Sequence, residues 1–198
     1  MTAMHSSLRS MTENTTLNTA IDEPSMTAGE GEMLLFALER SRAQFAWKCG
    51  GLDAAGLRKP HPPSTITLGG LLKHIALVEY KYAPHAFAAT RATWRPWETV
   101  DFEAEPDWEW RTAADDSPEA LYGIWRDAVE WSRAAWAAAL ADGGLDQPSH
   151  FTTDDGESPN IRRLLVDLHD EYARHVGHAD LLREAVDGLV GEDPPQPR

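Results

Sequence analysis

The segment from Ile161 to Val186 constrains the fold more than any other, because its apolar residues keep a helical period for about seven turns. On a helical wheel these residues share one stripe: Ile161, Leu164, Leu168, Tyr172, Ala179, Leu182 and Val186. A stripe of this width has to be buried against other elements. The same stripe carries His175 near its middle and Glu171 at its edge. The sequence therefore predicts a long helix that aims an imidazole and a carboxylate at the core.

Three more helices are predicted from apolar periodicity together with start and stop residues. They run from Gly31 to Lys48, from Leu68 to the early 80s, and from Ser117 to about Ala141. Glycine pairs follow the first and third helices, and Pro84 is expected to kink or end the second.

The fourth helix is expected to take Ser158 as its cap and Pro159 as its first residue, and to stop at Gly188. Residues 57–64 hold three prolines and are predicted to be loop, and residues 91–117 form a connection longer than a routine one. The fold prediction is all-α, a four-helix bundle with a long crossover connection. Residues 29–190 form the predicted domain, between flexible tails at 1–28 and 191–198.

A buried Glu171 needs a partner, because an unpaired carboxylate in an apolar core costs on the order of several kcal/mol. The second helix offers an imidazole, since His74 lies at the margin of an apolar stripe formed by Leu71, Ile75, Val78 and Tyr82. Two imidazoles and a carboxylate suit zinc, nickel, iron or manganese, and three protein ligands leave positions open for chemistry. His74, Glu171 and His175 are therefore candidate metal ligands.

Other interpretations of these residues stay open. Glu171 can pair with Arg174 or with another cation across the bundle, and His175 can be a hydrogen-bonded core histidine. Arg174, adjacent to His175, is also a candidate for supporting a ligand from outside the metal's coordination sphere.

The charge and the single cysteine narrow the class of protein. The chain has 198 residues and a formal net charge of −14, which disfavours binding to nucleic acid. Cys49 is the only cysteine, so no intrachain disulfide can form, as is usual in the cytosol, and we expect this thiol to be inert packing. No window reaches the ~18 apolar residues of a membrane span. A cytoplasmic protein is expected.

Two segments resemble the DinB-like superfamily, which includes the mycothiol-dependent maleylpyruvate isomerases and thiol S-transferases. They are LGGLLKHIALVE at 68–79 and EYARHVGHADLLRE at 171–184, and the match is closest to an actinobacterial branch. The resemblance extends over about residues 30–188.

The resemblance implies a bundle with a crossover and a divalent metal, zinc first, held by His74, Glu171 and His175. Many relatives have histidine at the position of Glu171, whereas the isomerase-like members have glutamate. His178 belongs to the motif, as a residue that orients a ligand or binds substrate. Mycothiol is the implied thiol co-substrate, a small molecule the implied partner, and a homodimer an expected assembly.

Three functions follow as hypotheses. The first is a metal-dependent thiol S-transferase or isomerase, the second a non-catalytic metal- or ligand-binding bundle, and the third a hydrolase that uses metal-bound water. The tryptophan-rich segment 94–110 is expected either to form a lid or pocket wall or to pack over the end of the bundle.

Overall fold

The structure, a computed structural model, describes residues 17–86 and 97–196, apart from the side chains of residues 84–86. Within these ranges the chain forms six helices and no strand, so the all-α prediction is confirmed. Four helices are long: α1 (Glu30–Cys49), α3 (Leu68–Ala86), α5 (Pro118–Asp142) and α6 (Ile161–Asp187). Two are short: α2 (Ala54–Arg58) and α4 (Trp108–Thr112). No helix in the described part of the chain has the length and apolarity needed to cross a membrane.

Capping residues fix several helix ends where the sequence predicts them. The Ser117 side chain accepts a hydrogen bond from the Ala120 N–H at 3.2 Å, and Pro118 follows as the first residue of α5. At the end of α6, Gly188 adopts the left-handed conformation with φ of +82° and its N–H donates to the Glu184 carbonyl. These local signals are independent of tertiary packing, which is why they can be read from sequence.

The prediction that the fourth long helix, α6, is capped by Ser158 and begins at Pro159 is wrong. The helix begins at Ile161, and the side chain of Asn160 caps it by accepting a backbone hydrogen bond at 2.9 Å. The Pro159 carbonyl accepts instead from the Ser149 N–H at 2.8 Å. This extended pairing with the preceding loop delays the helix by two residues.

The predicted loop at 57–64 is wrong at its first two residues. Asp53 caps the short helix α2, which ends at Arg58, and Leu57 is buried in the core. The helix predicted to be affected by Pro84 continues to Ala86, and residues 87–96 lie outside the described ranges.

Helix α3 runs antiparallel to α6. The His74 and His175 rings lie 4.8 Å apart, and further along α3 the Glu79 carboxylate lies 2.7 Å from the Tyr172 hydroxyl. Residue numbers therefore rise along one helix as they fall along the other. The two helices bring their His-bearing faces together at mid-length.

Helix α3 runs parallel to its other neighbour, α5. Near the start of α3, Gly69 lies against Leu121, and later Tyr80 packs on Trp131 with ring centroids 5.0 Å apart. Because consecutive long helices point the same way, the chain must return along the molecule between them. The described part of this connection, residues 97–117, contains α4.

Both described chain ends contact the helical domain. Leu17 is buried in the core, and the Asp193 carboxylate accepts hydrogen bonds from Arg40 and Gln44 of α1 at 2.5 and 2.8 Å. Residues 17–28 and 191–196, which the sequence assigns to tails, thus include side chains that pack on α1.

A buried ion pair joins the helices. Arg42 of α1 and Glu79 of α3 are 2 % and 0 % exposed and form two hydrogen bonds of 2.8 and 2.7 Å. Tyr172 of α6 donates to the same carboxylate, and Ser132 of α5 accepts from Arg42 at 3.1 Å. Burial and the adjacent carboxylate raise the pKa of the Tyr172 phenol well above its usual range, so it remains a donor. All four long helices contribute to this network.

Replacing Glu79 with alanine should destabilise the protein strongly, because the buried Arg42 guanidinium loses its two-hydrogen-bond partner and keeps only Glu39, which is partly exposed, and Ser132. We expect the free energy of unfolding to fall by about 3–5 kcal/mol. Urea denaturation at neutral pH measures this. The control is Arg162→Ala, which removes surface ion pairs with Glu30 and Asp146 and should have little effect. Equal losses in the two variants would contradict the role given to the network.

Candidate metal centre

The structure brings the three predicted ligands together. One potential ligand atom from each of His74, Glu171 and His175 lies within 4.8 Å of the other two. The His175 Nε2 and a Glu171 carboxylate oxygen are 3.6 Å apart. Helix α3 supplies one group and successive turns of α6 supply the other two, as the sequence pattern suggests.

The cluster is buried on one side and open on the other. The side chain of His175 is 9 % exposed, that of His74 20 %, and that of Glu171 33 %. A small molecule can therefore approach from the side of Glu171.

The His175 imidazole is held neutral. Burial, and after it the neighbouring His74, His178 and Arg174, together lower its pKa to about 4. Neutral imidazole is the form that binds metal ions. At neutral pH, His175 is therefore in the protonation state that could bind a metal ion.

His178 contacts His175 on the side away from Glu171. Their Nδ1 atoms lie 3.2 Å apart. When His175 uses Nε2 as a ligand, its proton sits on Nδ1 and is donated to His178. His178 therefore lies within hydrogen-bonding distance of His175, one of the three residues of the cluster.

His74 has a partner that the sequence analysis missed. Its Nδ1 lies 3.1 Å from a carboxylate oxygen of Glu109, a buried residue of α4. Burial raises the pKa of the Glu109 carboxyl, but the hydrogen bond from His74 and the charges of His74 and Lys73 outweigh it and hold that pKa below its ordinary value. Glu109 lies 35 residues from His74 in the chain, in a segment without apolar periodicity, so only its place between two tryptophans marks it.

Trp110 forms a wall of the cluster. Its ring stacks on His74 with centroids 4.5 Å apart and lies 6.1 Å from the His175 ring. Gly70, one turn before His74, permits this approach, since a Cβ there would lie 3.0 Å from the indole. Of the roles expected for the tryptophan-rich segment, Trp110 therefore has the position of a wall beside the three-residue cluster.

Other parts of the tryptophan-rich segment pack elsewhere. Trp97 is buried against Tyr80, with ring centroids 5.2 Å apart. Trp108 lies under the Lys73 ammonium at 4.3 Å. Residues 94–96 lie outside the described ranges.

The alternative of an ion pair from Glu171 to Arg174 does not match the geometry. Arg174 is exposed and its nearest acidic partner is Asp170, at 3.9 Å. Among the described residues, the Glu171 carboxylate lies 3.6 Å from His175 and pairs with no lysine or arginine. Asp167, one turn earlier, accepts from Arg163 at 2.8 Å.

Cys49 is not a candidate nucleophile. It is fully buried, and burial raises the pKa of its thiol far above the usual range. The chain has no other cysteine.

Comparisons with known proteins identify the family. No protein with a curated function is detectably similar in sequence. A family model described as mycothiol S-transferase matches residues 33–188, a stretch that includes α3, α4, α6 and every residue of the cluster. The chain therefore belongs to the mycothiol S-transferase family, a DinB-like family.

Proposed function

We propose that His74, Glu171 and His175 bind one divalent metal ion, and that the site activates a low-molecular-weight thiol such as mycothiol for S-transfer or isomerisation of a small electrophile. The observation that carries the proposal is the convergence of three ligand groups within 4.8 Å in a chain of the mycothiol S-transferase family.

The donor set fits such an ion. Ligand atoms bonded at about 2.0–2.2 Å to one tetrahedral ion lie roughly 3.3–3.6 Å apart, so side-chain rotations that shorten the observed separations of up to 4.8 Å would close the arrangement. Two neutral imidazoles and one carboxylate favour zinc, with nickel, iron and manganese as alternatives. The positive ion would also compensate the negative charge of Glu171, which pairs with no lysine or arginine among the described residues.

A divalent ion in this position supplies a positive charge that lowers the pKa of a thiol bound beside it. The protein's own residues do the rest. Trp110 excludes water from one side of the cluster, while the exposed side of Glu171 admits the substrates. In S-transfer the sulfur forms a new bond to carbon as the leaving group departs with its electron pair, and the thiol proton passes to solvent.

An external thiol also agrees with the chemistry of the chain. Its one cysteine is buried and its thiol pKa is raised, so the protein has no sulfur nucleophile of its own. This favours a thiol co-substrate over a covalent enzyme intermediate on cysteine.

Loss of either histidine should abolish stoichiometric metal binding. We expect His74→Ala and His175→Ala to retain less than about a tenth of the parent's metal, because each removes one of three ligands. Elemental analysis after reconstitution with zinc and desalting measures the metal content of each variant. His150→Ala, which changes an exposed loop histidine, is the matched control and should bind as the parent does. Full metal content in both site variants would show that the ion is held elsewhere.

Metal-loaded protein should conjugate mycothiol to an alkyl halide faster than metal-free protein. Each unit by which the thiol pKa falls towards neutrality raises the thiolate fraction about tenfold, so we expect at least about a tenfold difference. Thioether formation followed by chromatography measures the rate.

The Cys49→Ala variant should keep this activity, since Cys49 takes no part in the site. Metal binding without turnover of any thiol would favour a binding protein instead. Hydrolysis of an ester without added thiol would favour a metal-dependent hydrolase.

A further inference from the structure

We propose that Glu109 is a positioning residue for the metal centre, which fixes the tautomer and orientation of His74 so that its Nε2 faces the ion. This inference rests on the metal site proposed above and adds a residue outside the ligand set. It is carried by the 3.1 Å contact between the Glu109 carboxylate and the His74 Nδ1.

The contact determines which nitrogen of His74 is available. A carboxylate accepts hydrogen bonds and does not donate when ionised, so the proton of the neutral imidazole must sit on Nδ1. The lone pair is then on Nε2, the nitrogen away from Glu109. Carboxylate–histidine–metal arrangements of this kind raise the basicity of the ligand and hold its ring in place.

Glu109 has little structural reason to be where it is. Its residue is 6 % exposed, and its second carboxylate oxygen is buried without a hydrogen-bond partner among the described residues. Leaving a buried acceptor unpaired is unfavourable for folding. Packing alone would not favour a carboxylate at this position, and among the described residues the side chain that hydrogen-bonds to it is that of His74.

The short helix that carries Glu109 is fastened next to the site. Lys73, the neighbour of His74 on α3, donates to Thr112 and Asp116 at 2.8 and 2.6 Å. Helix α4 is thus held at its far end while Glu109 contacts the edge of the His74 ring. Trp110 covers the face of that ring at 4.5 Å. Two consecutive residues of α4 therefore restrain His74 in two directions.

The comparison of Glu109→Ala with Glu109→Gln tests the proposal. Glutamine keeps an acceptor for the His74 proton and alanine removes it. We expect alanine to weaken zinc binding about 10- to 100-fold and glutamine to weaken it several-fold less. Competition with a chromogenic chelator measures the affinity, and the visible spectrum of the cobalt-loaded protein reports on the coordination geometry.

The Glu105→Ala variant is the matched control, because it removes an exposed carboxylate of the same connection that pairs with Arg111 and does not contact His74. Its zinc affinity should stay within about twofold of the parent's. An unchanged affinity in Glu109→Ala, or an equal loss in Glu105→Ala, would overturn the proposal.

A second readout needs no metal, so it separates this inference from the proposed function. Nitrogen-15 NMR of the metal-free protein at mildly alkaline pH reports the tautomer of His74. We expect the proton on Nδ1 in the parent and in Glu109→Gln, and a shift towards the Nε2-protonated form in Glu109→Ala. A parent His74 protonated on Nε2 would overturn the inference even if zinc binds, whereas failure to bind zinc with the expected tautomer would count against the proposed function alone.

Discussion

The buried hydrogen-bonded ion pair between Arg42 and Glu79 sets the geometry on which the candidate site depends. A guanidinium and a carboxylate removed from water tolerate little displacement, because each lost hydrogen bond leaves an unsolvated charge. Tyr172 binds the same carboxylate and so fixes α6 against α3 at this level. Glu79 is five residues beyond His74, and Tyr172 three before His175. The network therefore sets the register of the two helices about one turn from the ligands.

A second set of contacts acts from outside the four long helices. Helix α4 returns to α3 at the level of His74, where Lys73 fastens it, Glu109 meets the imidazole edge and Trp110 meets its face. The long helices thus bring His74, Glu171 and His175 near one another, while α4 contacts the edge and the face of the His74 ring. Protein-bound metals depend on such outer contacts nearly as much as on the ligands themselves.

How much the sequence could predict depended on how local each signal was. The periodicity of α5 and α6, the Ser117 cap and the Gly188 stop are local signals, so the helices and the inward direction of His175 were predictable. The start of α6 was missed because a distant backbone pairing at Ser149 occupies Pro159. Glu109 was missed because it lies in a connection without apolar periodicity. Only the folded path of that connection brings it to His74. The Arg42–Glu79 pair was invisible too, since neither residue follows an apolar pattern and only tertiary packing buries both.

The most direct test of the account is anomalous X-ray diffraction from zinc-loaded crystals, recorded on both sides of the zinc absorption edge. The account predicts one strong anomalous peak at about 2.0–2.2 Å from His74 Nε2, His175 Nε2 and a Glu171 carboxylate oxygen. A peak ligated by other residues, or none at this cluster in crystals shown to contain zinc, would contradict it.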